Sequence, residues 1–458
     1  LSYSGKGGRG GAVSGVPGED FTVGDVRGEF PEEVRITPLG RPVDAQVFVP
    51  GSKSVTNRAL VVAALADGTS KIRNSLFSED SYWLMDALAR LGFEVRADSA
   101  AGEITVRGRG GALPGGNAEV SVGNAGTAAR FLPPVLALGE GPYRIDGVPR
   151  MRERPVSDLV DSMRGLGVAV EYAGEQGRFP LVVRGGGIPG GDTTVEVGKS
   201  SQFLSGLLMA APAADNPVTL SLRGDLVSRP YVGITTGVMR DFGAHLSETP
   251  GRYEIEPSVY EPREYHVEPD ASAASYFFAA AALTGGRVTV PGLGLSCSQG
   301  DLRFVEILES MGCDVEIKAS ATEVRGPERP RGLKGVEADM NEISDTFITL
   351  AAIAPFASTP TIITGIAHTR HQETDRVSAV ATELRRLGLE VEETHDSLRI
   401  IPLAENVATT PARIKTYGDH RMAMAFSLVG LVSEGVVIRD PECVTKTFPD
   451  YFERLGEL

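Results

Sequence analysis

Six short polar phrases each stand directly in front of an apolar run rich in Ala and Leu. They read GSKSVTNR (51–58), GNAGTAAR (123–130), GKSSQ (198–202), PDASAAS (269–275), MNEISD (340–345) and YGDHR (417–421). Ser, Thr, Asn, Asp and Gly are the residues that cap helix N-termini. A helix start presents unpaired N–H groups and a partial positive charge, so it favours an anion. Caps alone are ordinary. The added signal is that Lys53, Arg58, Arg130 and Arg421 fall within or just after them. A cation there opposes the helix dipole, and such placement asks for an anionic partner. The chemistry expected is the binding of polyanions at several helix starts.

The elements that position these phrases recur. A second helix-like run ends in an apolar-Gly step at Gly92, Gly167, Gly243, Gly312, Gly388 and Gly456. The period is about 70 residues, longer than a solenoid repeat, so each unit reads as a small α/β subdomain. Between the glycines lie the six apolar runs: RALVVAALADG, ARFLPPVLALGEG, QFLSGLLMAAP, ASYFFAAAALTGG, TFITLAAIAPFA and RMAMAFSLVGL. They are apolar nearly all round and are expected to be buried helices. Short β-branched stretches such as PVTLSL, GRVTVPGL and TPTIITGI follow most of them and read as strands. The unit is strand and helix twice over, and two domains of three units each is the natural partition.

The bulk numbers bound the rest. With 458 residues the chain exceeds one ordinary core. A net charge of −15 excludes a surface-wide nucleic-acid footprint, so any anion must be held by a local basic cluster. No apolar run reaches the length of a membrane helix. Cys297, Cys313 and Cys443 lie far apart with no CxxC spacing, which argues for a reducing compartment without a zinc site. The first 30 or so residues are Gly-rich and without period, and residues 1–35 are read as a disordered tail. The segment has neither the apolar core of a secretory signal nor the acid-poor composition of a transit peptide.

The ordered motifs PGSKSVTNRAL, GNAGTAARF, RMRERP, SSQFLSGLLMAAP, GDLVSRPY, PDASAASYF, SDTFITLAAIA, ETDR, YGDHRMAMAFSLVGL and KTFPDYF resemble those of the EPSP synthase (3-phosphoshikimate 1-carboxyvinyltransferase) family. The resemblance runs from about residue 40 to the C-terminus. It implies an α/β fold of two domains, each of three βαβαββ units around parallel inner helices, an inside-out α/β barrel. Residues 52–268 would form the shikimate 3-phosphate side, and residues 36–51 with 269–458 the phosphoenolpyruvate side. Crossovers are expected near 50–53 and 267–270, with closure on binding the shikimate substrate. The implied reaction moves the enolpyruvyl group of phosphoenolpyruvate to the 5-hydroxyl of shikimate 3-phosphate and releases phosphate. Two polyanionic substrates explain the cations, and proton traffic explains the carboxylates. The resemblance implies no metal or organic cofactor, no nucleic-acid or membrane partner, and a cytoplasmic monomer.

Carried over residue by residue, the resemblance makes Lys53 a contact of phosphoenolpyruvate, with a place in both substrate sets and in catalysis. Ser54 and Arg58 hold the shikimate carboxylate. Gly126 and Arg154 line the phosphoenolpyruvate phosphate, with Asn124 and Thr127 shaping that loop. Ser200, Ser201, Gln202, Ser228 and Tyr231 form the shikimate 3-phosphate pocket, Gln202 also touching phosphoenolpyruvate. Asp345 hydrogen-bonds the attacking hydroxyl and acts as its base, and Glu373 moves protons at the methylene carbon. Arg376, Arg421 and Lys446 grip phosphoenolpyruvate, and His420 stands beside them as a further catalytic residue. His368 and Gln372 complete the shikimate 3-phosphate set.

Each residue has a plainer reading. Asp345 could cap the helix from Thr346. Glu373 and Arg376 could be an ordinary ion pair three apart on a helix. Arg152 and Arg154 could be solvated loop charges, and Tyr231 a packing aromatic. The whole ordered set favours the functional reading. Two positions depart from the family. Gln372 stands where a Lys usually precedes Glu-Thr-Asp-Arg, and Lys199 or Arg370 is a candidate replacement cation. Phe131 stands where many relatives have Pro. The rivals are UDP-N-acetylglucosamine 1-carboxyvinyltransferase, whose reactive cysteine in a Gly-rich loop has no counterpart here, and a non-catalytic anion-binding relative of the same fold.

Overall fold

The structure is a computed structural model and describes residues 29–328, 332–404 and 407–458. The chain forms two compact units. One holds residues 51–267, the other residues 29–50 and 268–458.

Apart from the short helix Pro149–Glu153, the twelve α-helices among the described residues alternate between two kinds. They are α1 (Lys53–Leu65), α2 (Glu79–Arg90), α3 (Gly126–Ala137), α4 (Ser157–Gly165), α5 (Ser201–Ala210), α6 (Arg229–Asp241), α7 (Ala271–Thr284), α8 (Phe304–Ser310), α9 (Phe347–Ile353), α10 (Arg376–Arg386), α11 (His420–Gly430) and α12 (Tyr451–Gly456). The odd-numbered helices follow the polar phrases. Every residue of α3, α7, α9 and α11 is buried, which accounts for their lack of a polar face. α1, α3 and α5 pack on one another in one unit, and α7 packs on α9 and α11 in the other. Small residues permit close approach: a Cβ on Gly206 of α5 would lie 2.3 Å from the Arg130 carbonyl oxygen on α3.

The even-numbered helices are amphipathic and end at the recurring glycines. Gly92, Gly167, Gly243, Gly312 and Gly388 take φ between +85° and +104°. A left-handed residue just past the helix end satisfies the last carbonyls, and glycine does so without steric cost. Gly456 differs, because it is the last residue of α12.

The described strands form six sheets, five of them four-stranded with one pattern. In these, a strand parallel to the one that follows an odd helix lies at one side and an antiparallel hairpin completes the sheet; the sixth is three-stranded, Ala412–Ile414 parallel and Glu33–Arg35 antiparallel to Val436–Arg439. Ala118–Ser121 pairs parallel with Tyr143–Asp146 across α3, followed by Leu181–Val183 and Val170–Tyr172. The same order holds for the sheets built on Val218–Arg223 and Thr361–Thr364. Two sheets take their first strand from afar. Glu264–His266 pairs with Thr69–Arg73, and Asp44–Gln46 pairs with Arg287–Pro291. Each unit thus closes on its own strands. No helix among the described residues is long and apolar enough to cross a membrane.

The reading of residues 1–35 as a disordered tail needs one correction. Residues 1–28 lie outside the described residues, but Glu33–Arg35 is a strand, antiparallel to Val436–Arg439. Ile36 follows it, 3% exposed, its N–H bonded to the Val436 carbonyl at 3.0 Å. Glu33 pairs with Arg413 at 2.9 Å. Only three residues long, the strand shows no period by itself. Its partner lies at the other end of the chain.

Candidate active site

In the unit of residues 51–267 the candidates gather at helix starts. Ser52 caps α1, so Lys53 and Ser54 occupy its first turn. Lys53 Nζ lies 3.6 Å from Asp80 Oδ2 at the start of α2, and both side chains are largely buried. Arg58, one turn further along α1, is 1% exposed. Its Nε donates to Thr235 Oγ1 at 2.7 Å, and Nη1 donates to the Ser54 carbonyl at 2.8 Å. Nη2 donates to the Tyr231 carbonyl at 3.1 Å and to Ser205 Oγ at 3.4 Å. The guanidinium stacks over Phe131, 5.1 Å from the ring centre. All these acceptors are neutral, and burial pushes Arg58 down to about 10. Phe131, the departure noted in the sequence, therefore forms the floor beneath Arg58.

The start of α3 has no side-chain cap. Asn57 Nδ2 donates to Thr127 Oγ1 at 2.6 Å and ties α1 to this helix start. Asn124 lies just ahead of it. Against the first residue, Gly126, sits the guanidinium of Arg154: a Cβ added there would lie 3.1 Å from both Nη1 and Nη2. Arg154 is 7% exposed, whereas Arg152 is exposed and bonded to Asp146. Of the three arginines of RMRERP, Arg154 is thus the buried cation beside the start of α3, while Arg152 and Arg150, the latter paired with Glu153 at 2.7 Å, are surface charges. Arg130 is also buried, donating to Met151 Sδ and to the Pro155 carbonyl.

Ser200 caps α5 by accepting the Gln202 N–H at 3.2 Å, and Ser201 is buried beside it. Ser228 precedes α6 with φ 52°, and its carbonyl accepts the Tyr231 N–H at 3.1 Å. Lys199 is half exposed and pairs with Asp158 at 3.0 Å.

In the unit of residues 29–50 and 268–458 the candidates form one ion-pair network. Arg376, 1% exposed, opens α10. Its Nε donates to Asp419 Oδ2 at 2.7 Å, and Nη2 to Asp419 Oδ1 at 3.2 Å and Glu373 Oε2 at 2.9 Å. Nη1 donates to Asp345 Oδ1 at 3.2 Å and to the Gln372 side-chain oxygen. Burial works against this charge, but Asp419, Glu373 and Asp345 outweigh it and hold Arg376 above the ordinary arginine range. Arg421 Nη2 reaches the other Asp345 oxygen at 2.5 Å. Lys446 Nζ lies 3.7 Å from Glu373 Oε1. His420, wholly buried, has Nδ1 3.5 Å from Asp419. His368 Nε2 is 2.9 Å from Ser344 Oγ, and burial lowers its basicity.

This geometry decides several plainer readings. Asp345 is not a helix cap: it sits in the helical turn Asn341–Thr346, and its carboxylate is spent on two arginines. Glu373 lies ahead of α10 rather than on it, because Asp375 caps that helix through the Ser378 N–H at 3.0 Å. Arg370 donates to Asp375, Glu393 and the carbonyls of Thr394 and His395. Gln372 does what a lysine could not, since its amide oxygen accepts a hydrogen bond from Arg376. Sequence reasoning left Asp419 as a cap residue. It is one, accepting the Arg421 N–H at 2.9 Å, and it also binds Arg376 through both oxygens. Its place inside YGDHR was the available signal. Asp80 lay in no motif.

The network links three guanidinium or ammonium groups to three carboxylates in a largely buried setting. Such a site can exchange an internal carboxylate for one on a ligand, and can take up or release a proton at Asp345 or Glu373.

Comparison with solved structures places the fold among the enolpyruvyl transferases. An EPSP synthase from Acinetobacter baumannii superposes with a TM-score of 0.76 at 25% identity, over 92% of this chain and 97% of that one. The enolpyruvyl transferase NikO from Streptomyces tendae shares the fold, with a TM-score of 0.74 at 19% identity over 93% and 97% of the two chains. The family model for EPSP synthase (3-phosphoshikimate 1-carboxyvinyltransferase) matches residues 39–455. A 3-phosphoshikimate 1-carboxyvinyltransferase of Nostoc sp. strain PCC 7120 is 49% identical over 93% of this chain and 99% of its own. One from Yersinia ruckeri is 45% identical with the same coverage. The chain belongs to the EPSP synthase family.

Proposed function

We propose that this enzyme transfers the enolpyruvyl group of phosphoenolpyruvate to the 5-hydroxyl of shikimate 3-phosphate and releases phosphate. The observation that carries the reading is Asp345 held between Arg376 and Arg421, with Glu373 between Arg376 and Lys446. A module that only bound polyanions would gain nothing from these carboxylates. Membership of the family supplies the substrate pair.

The shikimate set is Ser54, Arg58, Ser200, Ser201, Gln202, Ser228 and Tyr231, joined by Lys53, Asp345, His368 and Gln372. The phosphoenolpyruvate set is Lys53, Asn124, Gly126, Thr127, Arg154, Gln202, Arg376, Arg421 and Lys446. The 5-hydroxyl oxygen bonds to C2 of phosphoenolpyruvate as its proton passes to Asp345. The methylene carbon takes a proton from Glu373, with His420 alongside. In the second half Glu373 removes a proton from that methyl carbon, the C2–O bond to phosphate breaks, phosphate leaves, and Asp345 gives its proton up to solvent. Arg154 and Lys446 offset its charge. The sheet order that recurs in five of the six described sheets supports a fold of βαβαββ units, and three unbridged cysteines support a reducing, cytoplasmic setting.

The sister activity on UDP-N-acetylglucosamine is the second reading. Burial raises all three thiols, Cys297 and Cys313 to about 12, and so disfavours a reactive thiolate. A coupled phosphate-release assay with each acceptor separates the readings. Release is expected with shikimate 3-phosphate. Release with only the nucleotide sugar, or with neither, would overturn the proposal.

A further inference from the structure

The fourth polar phrase, PDASAAS, is the one to which sequence reasoning attached no role. It opens α7, which Asp270 caps by accepting the Ala273 N–H at 2.8 Å. Two α7 side chains one turn apart reach toward the network. Ser272 Oγ hydrogen-bonds Asp301 Oδ2, and the buried Tyr276 phenol lies within the electrostatic reach of Arg421. Asp301 is 3% exposed. It sits on the helical turn Gly300–Arg303, which packs against α7, against α8, and against the turn Asn341–Thr346 that carries Asp345. A buried carboxyl thus stands behind the Asp345–Arg421 pair, outside every role assigned above.

We propose that Asp301, a buried carboxyl held by Ser272 on a turn packed against the Asp345 turn, is a positioning residue that sets the charge around the Asp345–Arg421 pair and, when ionised, competes with an incoming carboxylate for Arg421. This rests on the functional reading and extends it. Burial first, and the Asp345 charge second, push the Asp301 carboxyl up to about 7, while Ser272 and Arg421 pull it down and Asp270 adds to the rise. The groups facing it begin with the buried Cys297 thiol, raised by burial, by Glu268 and, less, by Asp301 itself. From α7 and its cap come Asp270 and the Tyr276 phenol, which burial pushes up to about 12. From the Asp345 turn come Asp345 and Glu342, the latter exposed and paired with Arg303 at 2.6 Å. From α8 come Glu306 and Glu309, both at the surface. Arg421 of α11 is the cation it senses. With Asp301 protonated, Arg421 answers to Asp345 and to substrate. With Asp301 ionised, a second negative charge competes for it, and phosphoenolpyruvate binding weakens.

The test is the Michaelis constant for phosphoenolpyruvate from pH 6 to 8.5 in wild type, Asp301→Asn and Ser272→Ala. Comparison at each pH cancels the ligand's own phosphate titration. The wild-type KM is expected to match that of Asp301→Asn near pH 6 and to exceed it about three- to tenfold by pH 8.5, with kcat changing less. In Ser272→Ala, which loses the hydroxyl that favours the carboxylate, the rise is expected at higher pH. A ratio independent of pH is what a merely structural Asp301 gives, and it overturns the proposal. Should Asp301→Asn fail to fold, an unmoved rise in Ser272→Ala overturns it equally. Wild type that releases no phosphate at any pH overturns the functional reading and this proposal with it. A flat ratio in an active enzyme overturns this proposal alone.

Discussion

Asp345 divides its two carboxylate oxygens between Arg376 and Arg421. So placed, it must give up an arginine bond before it can take a hydroxyl proton. A substrate carboxylate offered to Arg421 makes that exchange possible. Asp345→Asn keeps the shape but removes the base, so kcat for phosphate release is expected to fall about 10²- to 10⁴-fold. A fall of less than tenfold in steady-state kinetics would move the base elsewhere. Arg376 has all five donors engaged, so Arg376→Lys is expected to lose far more activity than Gln372→Ala, which removes one neutral acceptor. Equal losses would contradict the hub described for Arg376. Asp345, Glu373, Arg376, Arg421 and Lys446 were legible in the sequence because each lies in a motif. Asp301 was not, because a lone Asp gains meaning only from the chain folded over it. Nor did the sequence show that Arg58 would be buried among neutral acceptors.

At the scale of elements, the site depends on helix starts held in register. The Asn57–Thr127 bond ties α1 to the start of α3. Thr127→Ala breaks it inside a buried region and is expected to cost about 1–3 kcal/mol, read as a lower denaturation midpoint together with a raised KM for phosphoenolpyruvate. An unchanged KM would separate the tie from the site. Asp301 makes a second prediction through stability. Its carboxyl is raised in the folded chain, so its stabilising contribution is full below the unfolded value and is lost as pH rises through about 7. The melting temperature of Asp301→Asn relative to wild type is therefore expected to climb between pH 5 and 8, and a constant difference would contradict this. The alternation of buried and amphipathic helices was legible from composition and from the glycines after α2, α4, α6, α8 and α10. The turns Asn341–Thr346, Gly300–Arg303 and Pro441–Lys446 were not, although they carry Asp345, Asp301 and Lys446. Each is too short to show a period, and tertiary contacts hold it in place.

Across the whole molecule, one sheet pattern recurs while the helix starts have diverged. The recurring glycines belong to the scaffold, and the polar phrases to the chemistry. Two strands, Asp44–Gln46 and Glu264–His266, pair with partners about 200 residues away in sequence, and so escaped local reading. An overall charge of −15 is compatible with polyanionic substrates because the cations are concentrated at the helix starts and in the Arg376 network. What defines the reaction is the bond made and the bond broken. Phosphorus NMR of phosphoenolpyruvate and shikimate 3-phosphate mixed with the full chain tests it most directly. The phosphoenolpyruvate resonance is expected to give way to inorganic phosphate, in step with one enolpyruvyl ether at the 5-oxygen of a cyclohexene acid that keeps its 3-phosphate. Inorganic phosphate appearing without that ether, or neither appearing while both substrates persist, would contradict it.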